Sequence, residues 1–185
     1  GPRASAYYSI GGRMQSKAAA RRFYKQCLRL AHMLRSTGSD PSDALQLSAS
    51  AQAQLAVRGA PWRYNAALVD FKASLDWRTR HTKNPIAIGE AQASYGHALF
   101  FLPWRKREGL RLVEEGTALI KAQLGGIQNG FYFRAAHRHA DLLLRHREKE
   151  KARAVAVEAY DNAEAAQAFD QSRQLRALIE KIDRS

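Results

Sequence analysis

Three histidines in one basic segment are the residues whose type could bind a metal ion. The segment 134–160 reads RAAHRHADLLLRHREKEKARAVAVEAY and contains His137, His139 and His146. On a helix, His137 and His139 diverge by about 200°, and the rise from His139 to His146 is about 10 Å, which is too long for one ion. Glu150 follows His146 by four residues, but two ligands are fewer than a zinc site takes. We therefore predict no metal site.

Residues for acid–base catalysis or phosphate binding also lack a suitable spacing. Glu114 and Glu115 are adjacent, so on a helix their carboxylates diverge by about 100° and do not form a catalytic pair. The sequence contains no nucleophile elbow. The glycines of GGIQNG (125–130) have no strand pattern before them and no lysine after them, as a phosphate loop requires. We predict a protein without catalytic residues and without a cofactor.

Positive charge is the stronger chemical signal in these 185 residues. Lysine and arginine number 30 against 17 aspartate and glutamate, which gives a net charge of +13. A surplus of this size favours an acidic partner, whether an acidic protein, nucleic acid or anionic lipid. The surplus is concentrated in PWRKREGLR (103–111), around His137, and in the first helical segment. In that segment five cations recur at i, i+4, i+5, i+8 and i+12: Lys17, Arg21, Arg22, Lys25 and Arg29.

The elements that carry these residues are all predicted to be helices. Alanine and leucine are abundant, glycine and proline separate apolar segments of helical period, and no run alternates as a strand would. Asn84 and Pro85 mark one helix start, because asparagine caps exposed amides and proline suits a first turn. The pattern predicts seven or eight helices, over residues 15–35, about 42–57, 63–80, 85–102, from after PWR (103–105) to about 123, 131–146, 148–160 and 164–182.

Small residues recur at matching positions in successive helix pairs. The spacing is twelve or thirteen residues across the turn and then seven along the second helix. Three sets follow this pattern, the last one more loosely: Gly96, Gly109 and Gly116; Ala140, Ala152 and Ala159; Ala67 and Ser74. Small side chains let two helix axes approach to about 8–10 Å. We therefore predict that these positions lie where the paired helices touch.

This arrangement resembles the tetratricopeptide repeat, a helix–turn–helix unit, in a version with long helices, over about residues 43–182. The resemblance implies an all-α fold in which antiparallel helix pairs stack as a short right-handed solenoid. It also implies that the inner helices line a concave face that binds a partner's helix or extended peptide. We expect one helical-repeat domain over residues 15–185, preceded by an amino-terminal arm or tag remnant over residues 1–14.

The predicted function is a non-catalytic adaptor or scaffold that binds an acidic protein or peptide on a basic concave face. The expected contacts are Tyr95, Arg107, Arg111, Arg134 and Arg138 on the face, with Arg21, Arg22 and Lys25 at its rim. An alternative is a nucleic-acid-binding array without sequence specificity. There the cations would bind phosphates, and Tyr7, Tyr8, Tyr24 and Trp104 would stack on bases.

A second resemblance concerns the first helix. ARRFYKQCLRLA (20–31) is similar to the LYR-motif helix of small mitochondrial assembly and accessory proteins, with matches at Phe23, Tyr24, Lys25, Leu28 and Arg29. HTKNPIAI (81–88) resembles the later Asp-Pro segment of that family, with Asn84 in place of aspartate. This resemblance implies an accessory subunit of a larger complex that binds acyl carrier protein.

Cysteine usage and hydropathy bear on location. Cys27 is the single cysteine, so the chain forms no internal disulfide, and an intracellular, reducing compartment fits best. We expect the cytoplasm, or the mitochondrial matrix if the LYR-type alternative holds. No segment approaches the roughly 18 consecutive apolar residues of a membrane-spanning helix, so we predict no membrane span.

Overall fold

The computed structural model describes residues 16–37, 40–123 and 130–185. In these ranges the chain forms eight α helices, one short 3-10 segment (Pro103–Arg105) and no strand. The helices are α1 (Lys17–Ser36), α2 (Pro41–Val57), α3 (Arg63–His81), α4 (Pro85–Phe100), α5 (Lys106–Lys121), α6 (Gly130–Arg145), α7 (Lys149–Ala165) and α8 (Phe169–Arg184). The all-α prediction and the predicted number of helices are confirmed. The arm predicted over residues 1–14 lies outside the described residues.

Local capping chemistry explains where two of these helices begin. Asp40 precedes α2 and accepts a hydrogen bond from the backbone amide of Ser42 at 2.7 Å. Asn84 precedes α4 and accepts one from the amide of Ile86 at 3.0 Å. In both cases proline occupies the first turn, where its missing N–H leaves no hydrogen bond unmade. The predicted start of α4 at Pro85 is confirmed.

Two helix ends close on a non-glycine residue with left-handed backbone conformation. Arg147 (φ 66°) follows α6, and Gln167 (φ 52°) follows α7. The amide of Glu148 then donates to the Leu143 carbonyl at 2.9 Å, which is the hydrogen bond of a Schellman motif. The same pattern recurs after α7, where the amide of Ala168 donates to the Ala163 carbonyl at 2.8 Å.

The predicted boundary between residues 160 and 164 was wrong. α7 continues to Ala165 and α8 begins at Phe169. Asp161 and Asn162 are weak helix formers, but both are exposed on α7, where no packing contact acts against them. The true turn centres on Gln167 and lacks the glycine that usually marks a helix end.

The helices form two compact units, the first ending at Thr82 and the second beginning at Lys83. In the first unit α1 packs on α2, and α2 packs on α3. Its apolar core includes Tyr24, Cys27, Leu47 and Leu55. The second unit contains α4 to α8. The prediction of one domain over residues 15–185 stays a prediction.

The second helix of each pair buries the same four positions. In α3, α5 and α7 these positions follow at i, i+4, i+7 and i+11, and successive sets lie 42 and 43 residues apart. The buried sets are Ala67, Phe71, Ser74 and Arg78; Gly109, Val113, Gly116 and Ile120; Ala152, Ala156, Ala159 and Ala163. The predicted small positions are therefore confirmed as buried sites on one side of each helix, and the repeat register follows from them.

Glycines bring the backbones of α4 and α5 into direct contact. A Cβ atom added to Gly96 would lie 2.6 Å from the carbonyl oxygen of Gly109, and one added to Gly109 would lie 2.6 Å from that of Gly96. In the same way, a Cβ atom added to Gly116 would lie 2.5 Å from the carbonyl oxygen of Gly89. Real Cβ atoms do not approach this closely, so no larger residue fits here. Gly89 was missed in the sequence, although it precedes Gly96 by seven residues, a spacing that keeps one helix face.

Candidate partner-binding face

The second unit arranges its helices in two layers. α4, α6 and α8 lie side by side, α5 packs on α4 and α6, and α7 packs on α6 and α8. Side chains of α4 and α6 meet along a surface that we call the α4–α6 face. It consists of Glu90, Ser94, His97, Phe101, Phe131, Arg134, Arg138, Asp141 and Arg145. Its α6 members recur every three or four residues, which places them along one side of that helix.

Arg134 lies at one end of the α4–α6 face. Its guanidinium is 3.7 Å from the carboxylate of Glu90 and lies over the ring of Phe131, 4.7 Å from the centroid. Burial lowers the pKa of Arg134, Glu90 acts against this shift, and the positive charge of Arg138 adds to it. A further negative charge beside Arg134 would therefore be favourable, because it would offset the repulsion between the two guanidiniums.

Arg138 lies one helical turn beyond Arg134 and also reaches α4. Its Nη1 atom donates a hydrogen bond to the hydroxyl oxygen of Ser94 at 3.1 Å. The two arginines are thus both positioned by contacts with the neighbouring helix. A ligand that binds them loses less side-chain entropy than it would on two freely mobile arginines.

Asp141 organises the other end of the α4–α6 face. Its carboxylate accepts hydrogen bonds from Arg145 Nε at 2.7 Å and from Lys181 Nζ, on α8, at 2.8 Å. Burial acts to raise the pKa of Asp141, but these two hydrogen bonds and charges lower it overall. Arg145 also lies over the Phe101 ring, 5.8 Å from the centroid. With Lys181 included, the α4–α6 face carries four cations against two carboxylates, and an exposed aromatic ring flanks it at each end.

His97 lies among these charges and is held in its neutral form. Its ring meets that of Phe101 edge to face, with the centroids 5.2 Å apart. Burial lowers the pKa of His97 to about 3, and the positive charges of Arg138 and Arg145 contribute, while Asp141 opposes them. His137, which also faces this cluster, has its pKa lowered mainly by burial.

The stability of the protein is expected to fall as the pH decreases from about 6.5, because the unfolded chain takes up the His97 proton first. A folded pKa of about 3 against 6.5 in the unfolded chain gives a loss of about 2 kcal/mol between pH 7 and pH 5. Denaturant unfolding at pH 7, 6 and 5 measures this loss, and His97→Gln should reduce the slope. An NMR titration in which the His97 imidazole takes up its proton near pH 6.5 would contradict this prediction.

Three of the predicted contacts lie away from the α4–α6 face. Tyr95 is only 7% exposed, and its side chain hydrogen-bonds that of Arg105. Arg107 and Arg111 lie on α5, in the other layer, and are exposed. Arg111 pairs with Glu115 one turn further along α5, at 2.5 Å. Their role in partner binding stays a prediction.

The predicted basic rim lies in the first unit. Arg21, Arg22 and Lys25 are all exposed on α1. Arg21 Nε donates to the Arg58 carbonyl oxygen, at the end of α2, at 2.7 Å. The guanidinium of Arg58 in turn lies over the buried ring of Tyr24, 5.2 Å from the centroid. Arg21 thus ties α1 to α2, and whether the three cations contact a partner stays a prediction.

The histidine-rich segment divides between core and surface. His139 is buried, and burial lowers its pKa. His146 lies 3.3 Å from Glu148, not against Glu150. Among residues 16–37, 40–123 and 130–185, no three metal-ligating side chains are grouped so that they could hold an ion. In the same ranges no helix has the length and apolar character needed to cross a membrane.

Comparisons with known proteins bear on the fold. No protein-family model matches the chain, and no curated protein matches its sequence. Among solved structures, a kinesin light chain-like protein from Podosopora anserina with nearly identical TPR-like repeats is similar, with a TM-score of 0.53 and 15% identity. The similarity covers 98% of this chain and 93% of that one. MamA from RS-1, a double mutant, gives a TM-score of 0.46 and 16% identity over 100% of this chain and 96% of that one.

The fold class follows from the repeat register and the first of these similarities. The chain is an all-α protein with a tetratricopeptide-like helical-repeat fold, as its small-residue spacing predicted. The resemblance of the first helix to LYR-motif proteins, the acyl carrier protein partner that it implies, and the nucleic-acid alternative stay predictions.

Proposed function

We propose that this protein is a non-catalytic adaptor that binds an acidic segment of a protein partner along the α4–α6 face. Its helical-repeat fold supports a binding role, because stacked helix pairs present an extended surface. The observation that carries the proposal is the pair Arg134 and Arg138, one turn apart and both anchored on α4. A carboxylate placed between them makes charge-assisted hydrogen bonds, which are among the strongest in proteins.

The dimensions of the α4–α6 face define the segment that fits it. From Phe131 to Arg145 the helix rises about 21 Å. A partner helix of about four turns, or an extended peptide of six or seven residues, matches this length. The rings of Phe131 and Phe101 at the two ends suit an apolar side chain on either side of the acidic centre. The expected ligand is thus an acidic segment with apolar residues near both of its ends.

Selection from a random peptide display library tests the proposal without knowledge of the natural partner. Selected peptides should be rich in aspartate and glutamate, and their affinity, measured by fluorescence anisotropy, should fall about a hundredfold with Arg134→Ala plus Arg138→Ala. The matched control is Arg173→Ala plus Arg176→Ala, which removes two exposed arginines from α8.

The control pair separates a specific site from general attraction to a basic protein. Equal loss of affinity in the two double variants would contradict the proposal, and so would selected peptides without acidic residues. Affinity purification with the wild-type chain and with the Arg134→Ala, Arg138→Ala variant, followed by mass spectrometry, then identifies the partner as the protein that only the wild type retains.

A further inference from the structure

The turn between α4 and α5 exposes a large aromatic side chain that the α4–α6 face does not use. Trp104 lies in the short 3-10 segment of this turn and is 78% exposed. Phe101, three residues earlier, is also exposed. Trp104 contributes little to the core at this exposure, so its apolar ring and its N–H group are accessible to a binding surface.

The turn itself is held rigidly. Arg105 Nε donates to the carboxylate of Glu108 at 2.6 Å, and the Arg105 side chain also hydrogen-bonds that of Tyr95 on α4. The backbone amide of Arg105 donates to the Leu102 carbonyl at 2.9 Å. These contacts fix the backbone on both sides of Trp104, so its exposure is a property of an ordered turn.

Exposed cations lie on the two neighbouring turns at this end of the second unit. Lys106 and Arg107 follow Trp104 by two and three residues, and both are exposed. The turn between α6 and α7 lies beside the end of α4, because the His146 ring is 6.4 Å from that of Phe100. This second turn presents the exposed Arg147. Within the described parts of the chain, Arg107 and Arg147 take part in no salt bridge.

We propose that this end of the second unit docks on an anionic lipid surface, with Trp104 at the headgroup level. Tryptophan favours the membrane interface, where its apolar ring and its N–H group both find suitable surroundings. Lysine and arginine beside it are attracted to anionic headgroups. The aromatic group lies on a turn at the end of the helices, so a flat bilayer reaches it together with the cations of both turns. The net charge of +13 acts in the same direction.

Co-sedimentation of the full chain with vesicles tests this inference. The chain should bind vesicles of phosphatidylcholine with about 30% phosphatidylserine at 0.1 M salt, and bind vesicles of phosphatidylcholine alone at least tenfold more weakly. Trp104→Ala should reduce the partition coefficient about tenfold. Arg107→Gln plus Arg147→Gln should reduce it about thirtyfold, since each cation contributes roughly the same electrostatic attraction.

Matched variants elsewhere in the chain separate a defined surface from general charge. Trp62→Ala removes another tryptophan, 72% exposed in the first unit, and should leave binding unchanged. Arg173→Gln plus Arg176→Gln removes two charges from α8 and should reduce binding less than threefold. Absence of binding to the anionic vesicles, or equal losses in the test and control variants, would overturn the inference. Neither result bears on the peptide site, because Arg134 and Arg138 are intact in all these variants.

Discussion

Gly109→Ala is expected to destabilise the second unit by about 3 kcal/mol. The new Cβ atom would lie 2.5 Å from the backbone nitrogen of Phe100 and 2.6 Å from the carbonyl oxygen of Gly96. Both are backbone atoms, so no side chain can rotate away and α4 and α5 must separate, which disturbs a packed core. A loss of stability would be informative, because helix propensity alone predicts that alanine stabilises the helix by about 1 kcal/mol relative to glycine. Urea unfolding followed by circular dichroism measures the change.

Gly130→Ala is the matched control for this prediction. Gly130 is also helical, at the start of α6, and among the described residues outside its own helical backbone no atom lies within 4 Å of the position that its Cβ would take. The same substitution should leave stability unchanged or raise it slightly. Adding Gly96→Ala to Gly109→Ala should cost less than the sum of the single changes, since one separation of the helices relieves both contacts. Equal stability of the Gly109→Ala and Gly130→Ala variants would refute the explanation.

Asp43→Asn is expected to cost about 2–3 kcal/mol in the first unit. Arg78 is 5% exposed, and its guanidinium donates to the Asp43 carboxylate at 2.8 Å. Loss of the negative charge leaves a buried cation with less compensation, which is the expensive way to break such a pair. The cost lies below the roughly 3–5 kcal/mol that is usual for a fully buried pair, because the Asp43 side chain is itself 43% exposed. Chemical denaturation of the variant measures it.

Arg78→Leu should destabilise the first unit less than Asp43→Asn does. Loss of the arginine leaves behind the Asp43 carboxylate, which water can reach. The corresponding positions of the other repeats are Ile120 and Ala163, so this site accepts an apolar side chain. The double variant should be about as stable as Arg78→Leu alone. A larger loss from Arg78→Leu than from Asp43→Asn would show that the arginine is held mainly by other interactions.

The helices and the repeat register were predictable, because both depend on local spacing. Gly109 and Gly116 recur in the same register as Ala152 and Ala159. Small residues between paired helices serve mainly to let the helix axes approach closely. Arg78 shows the limit of this reasoning. It occupies a position that is buried in every repeat, yet its type predicts exposure, and its partner Asp43 lies 35 residues away on another helix.

The candidate site was predictable only in part, because it also depends on contacts between residues that are distant in the sequence. Arg134 and Arg138 are one turn apart, and that spacing is visible in the sequence. Glu90 and Ser94 belong to the site because α4 lies beside α6 at a particular height, which no local pattern records. The sequence predicts Tyr95 on the binding surface; it follows Ser94 directly on α4 and is 7% exposed, and its part in partner binding stays a prediction.

The helix pairs share a register, but the residues at their contacts differ in size. This difference limits which helices could be exchanged between the pairs. At equivalent positions α5 presents bare backbone to its neighbour, whereas α7 presents the methyl groups of Ala152 and Ala159. An α7 helix placed where α5 stands would bring those methyl groups against the backbone of α4 at Gly96. The opposite exchange would leave voids. Exchange of single helices between the pairs would therefore require compensating changes on the facing helix, so α5 and α7 are not interchangeable.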